Sequence, residues 1–374
     1  MLMPWQNRRS PAALLFVMYC SSVVAETQIS ALPLPRPERS IVAIPPPAGG
    51  DGTWAGAPSA FRAGNYIYLS YRLRRPVGQG RGYAVAIARS ADGVSFETIL
   101  TIAKEQVSAE SLERPALVRA PDGTWRLYLS CATGQTKHWR IEVIEAGDPA
   151  SFDPRASRIV LPGDRVTGVK DPVVIHDGEI WHLWAAAHPL ADPEEADQMS
   201  AWYATSPDGL DWTWRGVALR PRPGEWDCRG VRVSAVRLEP DRVVAYYDGR
   251  SSKHENYEER TGIAVGPGPD TLAALGPVAG APDDLASGAE MGAVGLRPRG
   301  LRYLSIVDLG NGQERLYYEL TRPDGAHELR TELRPAVARL RSVPGGRAGL
   351  ASGPVPAPRS AADAADGEEP AEVA

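Results

Sequence analysis

Five hairpin-like segments recurring about every 58 residues, second strands rich in aromatic and β-branched residues, and abundant turn formers predict an all-β chain. The architecture they imply is a five-bladed β-propeller with four-stranded blades, in which radial repetition protects strand edges. The first strands begin at Pro58, Pro115, Pro172, Val233 and Met291. The residues just before them, Ala57, Arg114, Asp171, Arg232 and Glu290, are therefore 57, 57, 61 and 58 positions apart. Second strands are expected at Tyr66–Tyr71, Trp125–Ser130, Ile180–Ala185, Val243–Tyr247 and Leu301–Val307. Asp92-Gly93, Asp208-Gly209 and Asp324-Gly325 lie 116 residues apart, two periods, and read as turns following third strands. The 37 glycines and 34 prolines among 374 residues argue against a helical bundle and for many turns.

The ends divide from this core by composition. Asn7-Arg8-Arg9, the apolar run from Pro11 to Val24 and the small residues Val23-Val24-Ala25 read as a signal peptide over 1–25. A secreted or periplasmic protein follows, or a cytoplasmic one if the start codon is mis-assigned. Residues 26–50 are expected to form a Pro-rich linker and 341–374 a disordered Gly/Pro/Ala/acid tail, leaving the propeller at 51–340. The charge sum, 41 − 46 = −5, and the absence of a long basic run argue against nucleic-acid or polybasic membrane partners. No integral membrane segment is expected after signal cleavage, and the chain is expected to be a monomer. Three cysteines exclude a disulfide scaffold. Cys131 and Cys228 are expected to be free thiols, with their pairing left open. The six histidines show no metal-ligand spacing, so no metal or cofactor is implied.

In a propeller the residues preceding the inner strands ring the mouth of a funnel, together with the loops between second and third strands. The Asp-Gly turns fall on the opposite face and read as structural. On the funnel side the sequence places Glu113, Lys170, Trp226, Asp227, His188, Asp248 and Arg250. A dense polar loop follows, Asn256-Tyr257-Glu258-Glu259-Arg260, read as a solvated rim. Lys170-Asp171-Pro172-Val173 opening a blade, with the turns Ser90-Ala91-Asp92-Gly93 and Ser206-Pro207-Asp208-Gly209, resembles the five-bladed glycoside hydrolases of the arabinanase/xylosidase and invertase-like types. That resemblance implies three carboxylates at the starts of the inner strands of blades one, three and four. Here only Asp171 matches. Ala57, in Trp54-Ala55-Gly56-Ala57-Pro58, and Arg232 stand where the other two belong, so this is a divergent member.

Asp171 with Glu113 or Glu290 is the candidate catalytic set, a relocated acid/base pair. The alternative is that these acids pair with Arg114 and Arg232 to hold the channel together. Arg114, Arg232 and Arg250, with Lys170, suit a carboxylate or phosphate. The expected ligand is therefore a carbohydrate: an anionic glycan such as a uronate, or a glycan with phosphate as co-substrate. Trp54 and Trp226 could stack on a sugar or pack between blades. His188 could bond a sugar hydroxyl, and Asp227 and Asp248 complete the ligand-binding candidates. The functional expectation is a glycoside hydrolase-like protein acting on an oligo- or polysaccharide. A non-catalytic glycan-binding propeller or a glycoside phosphorylase are the alternatives.

Overall fold

The computed structural model describes residues 32, 34–76, 78–192, 194–278 and 300–336. The expected signal peptide, the tail and Glu290 lie outside the described residues. The described chain is all-β, with helical character confined to 3-10 turns. No described helix is long and apolar enough to cross a membrane.

The strands follow one another as antiparallel meanders. The first meander is β2 (Trp54–Ala63), β3 (Tyr66–Arg74), β4 (Gly82–Ser90) and β5 (Glu97–Ala103). The second is β6 (Ala116–Arg119), β7 (Trp125–Ala132), β8 (Trp139–Ala146) and β9 (Arg158–Leu161). The third is β10 (Thr167–His176), β11 (Trp181–Pro189), β12 (Ser200–Ser206) and β13 (Thr213–Leu219). The fourth is β14 (Gly230–Leu238), β15 (Val243–Arg250), β16 (Arg260–Gly268) and β17 (Thr271–Pro277). The last meander, β18 (Leu301–Asp308), β19 (Gln313–Thr321) and β20 (His327–Pro335), takes its fourth strand from the other end of the chain: β1 (Ile41–Ile44) pairs antiparallel with β20. Single parallel bridges, Arg260↔Leu301 and Trp54↔His327, join the fourth, last and first meanders into one twelve-stranded sheet.

Burial follows strand position. Every residue of β7 and β15 is buried, because these strands have packed side chains on both faces, whereas the outer strand β13 is exposed or half-buried along all but its last two residues. The apolar core is divided among five clusters, each between consecutive meanders. Val85 and Ile87 pack with Leu127 and Leu129. Ala55 and Leu69 of the first meander pack with Tyr317 and Leu329 of the last. Tyrosines tie these layers at the turns: Tyr317 donates to the Gly93 carbonyl at 2.8 Å and Tyr128 to that of Gly209 at 2.6 Å. The Asp-Gly turns are structural as expected. Asp92 and Asp208 accept from the amides two and three residues on, while Gly93 and Gly209 take φ values of 75° and 76°.

The phase of the last repeat differs from the expectation. Leu301–Asp308 is not a second strand; it packs against β2 and β14 and is followed by β19 as its antiparallel neighbour. Asp324-Gly325 consequently sits between β19 and β20, not in the slot of Asp92 and Asp208. The physical reason is the strand borrowed from residues 41–44, which leaves the C-terminal meander needing three strands of its own. Those residues fall inside the stretch expected to be linker.

Removing the Tyr317 hydroxyl strands a buried carbonyl between the first and last meanders. Tyr317→Phe should lower the unfolding free energy by about 1–3 kcal/mol. Urea denaturation reads this directly, and an unchanged midpoint would contradict the tie.

Candidate functional site

Three inner strands share one backbone device. Ala57, Asp171 and Tyr303 adopt left-handed φ values of 55°, 57° and 56°, and the strand register slips beside each of them. A bulky residue in this region costs about 1–3 kcal/mol and persists only where surroundings hold it. The holding groups are side chains from the second strand of the preceding meander. Glu319 Oε2 accepts from Ala57 N at 2.8 Å, Ser130 Oγ from Asp171 N at 2.8 Å, and Asp248 Oδ2 from Tyr303 N at 3.0 Å.

Around these residues lies a buried ionic network. Arg72 bonds Glu113 and Glu319, and Arg302 bonds Glu319 at 2.6 Å and Glu259 at 2.5 Å. Glu259 also accepts from Arg250 at 2.9 Å, and Arg232 pairs with Asp248 at 3.0 Å. His327 Nδ1 lies 2.5 Å from Glu319; burial holds this imidazole below its usual range, so it is neutral and adds no charge. Cations (Arg72, Arg74, Arg114, Lys170, Arg232, Arg250, Arg302) thus outnumber the carboxylates among them (Glu113, Asp171, Asp248, Glu259, Glu319, and Asp197 3.8 Å from Arg250). Unbalanced buried charge is costly, which makes this an environment for an anion.

Above the network opens a cavity of about 450 Å³. Its lining holds nine Lys and Arg (residues 72, 74, 81, 137, 170, 232, 250, 253 and 302) against four acids (113, 194, 197 and 259). Tyr257, Tyr303, His188 and Trp139 also line it. Among the described residues no cluster of His, Cys, Asp and Glu has metal-holding geometry.

The sequence-derived candidates divide by depth. Glu113, Arg232, Arg250 and His188 line the cavity. Glu113 is held by Arg72 and approached by Arg74 at 3.8 Å, rather than pairing with Arg114. Asp171 is wholly enclosed. Its Oδ1 accepts from the Arg114 amide at 3.2 Å, and Oδ2 lies 3.4 Å from Arg232, 3.4 Å from the Tyr303 hydroxyl and 3.7 Å from Lys170. Burial would raise its pKa, but Lys170 and Arg232 outweigh that and keep it ionised. Asp248 is equally enclosed; burial pushes it up to about 6 against the pull of Arg232, leaving it ionised at neutral pH.

Four candidates do not line the cavity. Arg114 is buried, donating to the carbonyls of Pro58 and Ser234. Trp54 is buried, stacked on His327 at 4.3 Å with the Arg74 guanidinium 4.0 Å above its ring, so it offers no face to a sugar. Trp226 stacks on Tyr247 beneath Arg260. Asp227 is enclosed, accepting from Tyr247 at 2.7 Å and Arg222 at 3.0 Å. Cys131 and Cys228 are free thiols. Sequence reasoning missed Glu319 and Arg302, which lie on strands, and Tyr303, whose left-handed backbone has no signal in a tyrosine. It read Glu259 as a solvated rim residue, whereas it is buried between Arg250 and Arg302.

No protein-family model matches the chain, and no curated protein matches it. Solved structures do resemble it. An α-L-arabinofuranosidase from Lactobacillus brevis has 15% identity and a TM-score of 0.54, over 74% of this chain and 90% of that one. A glycosyl hydrolase from Bacteroides ovatus has 14% identity and a TM-score of 0.55, over 83% and 94%. A β-1,2-mannobiose phosphorylase from Listeria innocua has 13% identity and a TM-score of 0.53, over 79% and 96%. At these identities the likeness is one of fold: the chain has the β-propeller fold of glycoside hydrolase-type structures.

Burial first, then the adjacent Lys170 ammonium, push the His188 imidazole down to about 3 from 6.5. Between those values the unfolded chain binds a proton that the folded chain refuses, so stability falls as pH drops from about 6.5 toward 3. His188→Asn should flatten that dependence by up to about 1.4 kcal/mol per pH unit. Parallel wild-type and variant curves from denaturation at several pH values would contradict it. Glu319→Gln, which breaks a carboxylate shared by two buried arginines, should destabilise by about 3–5 kcal/mol in the same assay.

Proposed function

We propose that this chain is a carbohydrate-active, glycoside hydrolase-like five-bladed β-propeller that acts on the glycosidic bonds of an anionic oligo- or polysaccharide held in the cationic cavity. The cationic lining of that cavity, nine Lys and Arg against four acids, carries the reading, because a carboxylated sugar supplies the missing counter-charge. The blade count rests on the five antiparallel meanders, the strand that β1 adds to the last of them, and the apolar cluster shared by last and first. Export rests on the apolar segment at residues 11–24 and the small residues that end it. For hydrolysis the candidate carboxylates are Glu113, which lines the cavity, and Asp171, which lies beneath it; Tyr303, not Glu290, occupies the matching slot of the last inner strand.

A second reading, a non-catalytic glycan-binding propeller, draws on a specific observation: Glu113, Glu259 and Asp171 are each engaged by arginine or lysine. Phosphorolysis is the third reading, with inorganic phosphate as the anion.

Calorimetric titration with uronate oligosaccharides and their neutral counterparts of the same linkage tests the ligand class. At least tenfold tighter binding of the uronates, weakening with added salt, is expected. Arg81→Ala, at the rim with its side chain 37% exposed, should weaken uronate binding several-fold and leave neutral-sugar binding unchanged. Equal affinities for the two sugar classes would overturn the anionic reading. Cleavage that is lost in Asp171→Asn supports hydrolysis, and cleavage made dependent on phosphate supports phosphorolysis. Binding with no cleavage supports the second reading.

A further inference from the structure

The feature that burdens hydrolysis is that the floor carboxylates are locked in ion pairs, so none is free to serve as a proton donor. A different bond-breaking chemistry needs no carboxylate pair. In a 4-linked uronate the proton on C5 is acidified by the neighbouring carboxyl group, and the C4 oxygen is positioned to leave once that proton is removed. The requirements are cations to neutralise the carboxylate, a basic nitrogen to take the proton, and a weak acid to protonate the leaving oxygen.

The cavity holds all three. Its lining supplies the cations, foremost Arg74 and Arg250. Lys170 Nζ reaches the cavity from β10 with a side chain 13% exposed; among the described residues its ionic neighbour is Asp171 at 3.7 Å, and the ammonium lies 4.8 Å from the centre of the Trp139 ring. Burial, against the pull of Asp171 and helped by Arg232 and Arg72, lowers this ammonium to about 8, so a usable fraction is neutral amine near neutral pH. Tyr257 lines the same cavity from the loop before β16. Its φ of 83° is strained for a tyrosine, and its hydroxyl is bonded to Arg74 Nη2 at 3.2 Å. Burial alone would raise that phenol; Arg74, by charge and hydrogen bond, together with Lys170 and Arg81, outweighs burial and holds it below its usual value. Lys170 and Tyr257 thus line one cavity.

We propose that the cavity carries a β-elimination activity on 4-linked uronate glycosides, with Lys170 accepting the C5 proton and Tyr257 donating a proton to the departing C4 oxygen. The C5–H and C4–O bonds break and a C4=C5 double bond forms. The C5 proton goes to Lys170 Nζ and the phenolic proton to the leaving oxygen. Nothing is oxidised and no water is consumed. The cycle leaves an ammonium beside a phenolate, and return of one proton from Lys170 to Tyr257 through solvent resets both. This inference rests on the reading that an anionic glycan occupies the cavity.

The test uses the full chain with oligogalacturonate, oligoguluronate and oligoglucuronate. Binding is followed by calorimetry, and products by the ultraviolet absorbance of the unsaturated uronate and by mass in heavy-oxygen water. Elimination gives an absorbing product, one water lighter than the hydrolytic one, with no solvent oxygen. Tyr257→Phe and Lys170→Arg should each lower its rate at least about 100-fold while keeping uronate binding within several-fold. The arginine retains the charge of Lys170 and cannot accept the proton, so it separates a base from a structural cation. Turnover surviving in Lys170→Arg or Tyr257→Phe overturns the assignment, as does a product carrying solvent oxygen. Uronate binding with no unsaturated product from any of the three also overturns it while leaving the anionic-glycan reading intact. Failure to bind any uronate overturns that reading itself.

Discussion

The capture of a strained backbone amide by a side chain from the preceding meander is the constraint on which the rest of the molecule depends. Ala57, Asp171 and Tyr303 each take a conformation costly to ordinary residues, and Glu319, Ser130 and Asp248 respectively receive the amides so exposed. Two of these acceptors are carboxylates, and a buried carboxylate needs cations. Arg72 and Arg302 answer Glu319, and Arg232 answers Asp248. The arginine-rich floor therefore follows from the way the inner strands are held. The surplus cations that rise from that floor into the cavity give it its chemical character.

Much of the fold was legible because each meander must solve the same packing problem, and repeated solutions leave repeated residues. The first four inner strands and the Asp92 and Asp208 turns lie where the period puts them. The last repeat slipped because Asp324-Gly325 matches the spacing by coincidence while β1 supplies the missing strand from outside the period. Local sequence does not reveal a pairing that spans most of the chain.

The site was legible in position and less so in depth. Asp171, Arg232, Arg250 and His188 stand where entry to an inner strand or exit from a second strand would put them. Whether a side chain faces the cavity or lies beneath it depends on neighbours from other meanders. Trp54 could be placed by sequence, but not the Arg74 guanidinium that covers its ring. Conversely, the polar loop at residues 256–260 reads as solvated because charge usually is. Here its Glu259 is sealed between two arginines, and its Tyr257 is turned into the cavity.

The pairing of β1 with β20 places residues 41–44 beside 329–331, the two ends of the described chain, as neighbouring strands. Strands far apart in sequence are thereby neighbours in one sheet. β1 must wait for β20 before the last apolar layer can be sealed. Such long-range closure slows folding and makes it cooperative across the whole domain. It also means that a short peptide joining those ends, with new termini opened at an exposed turn such as Asp122-Gly123, would preserve every pairing described above.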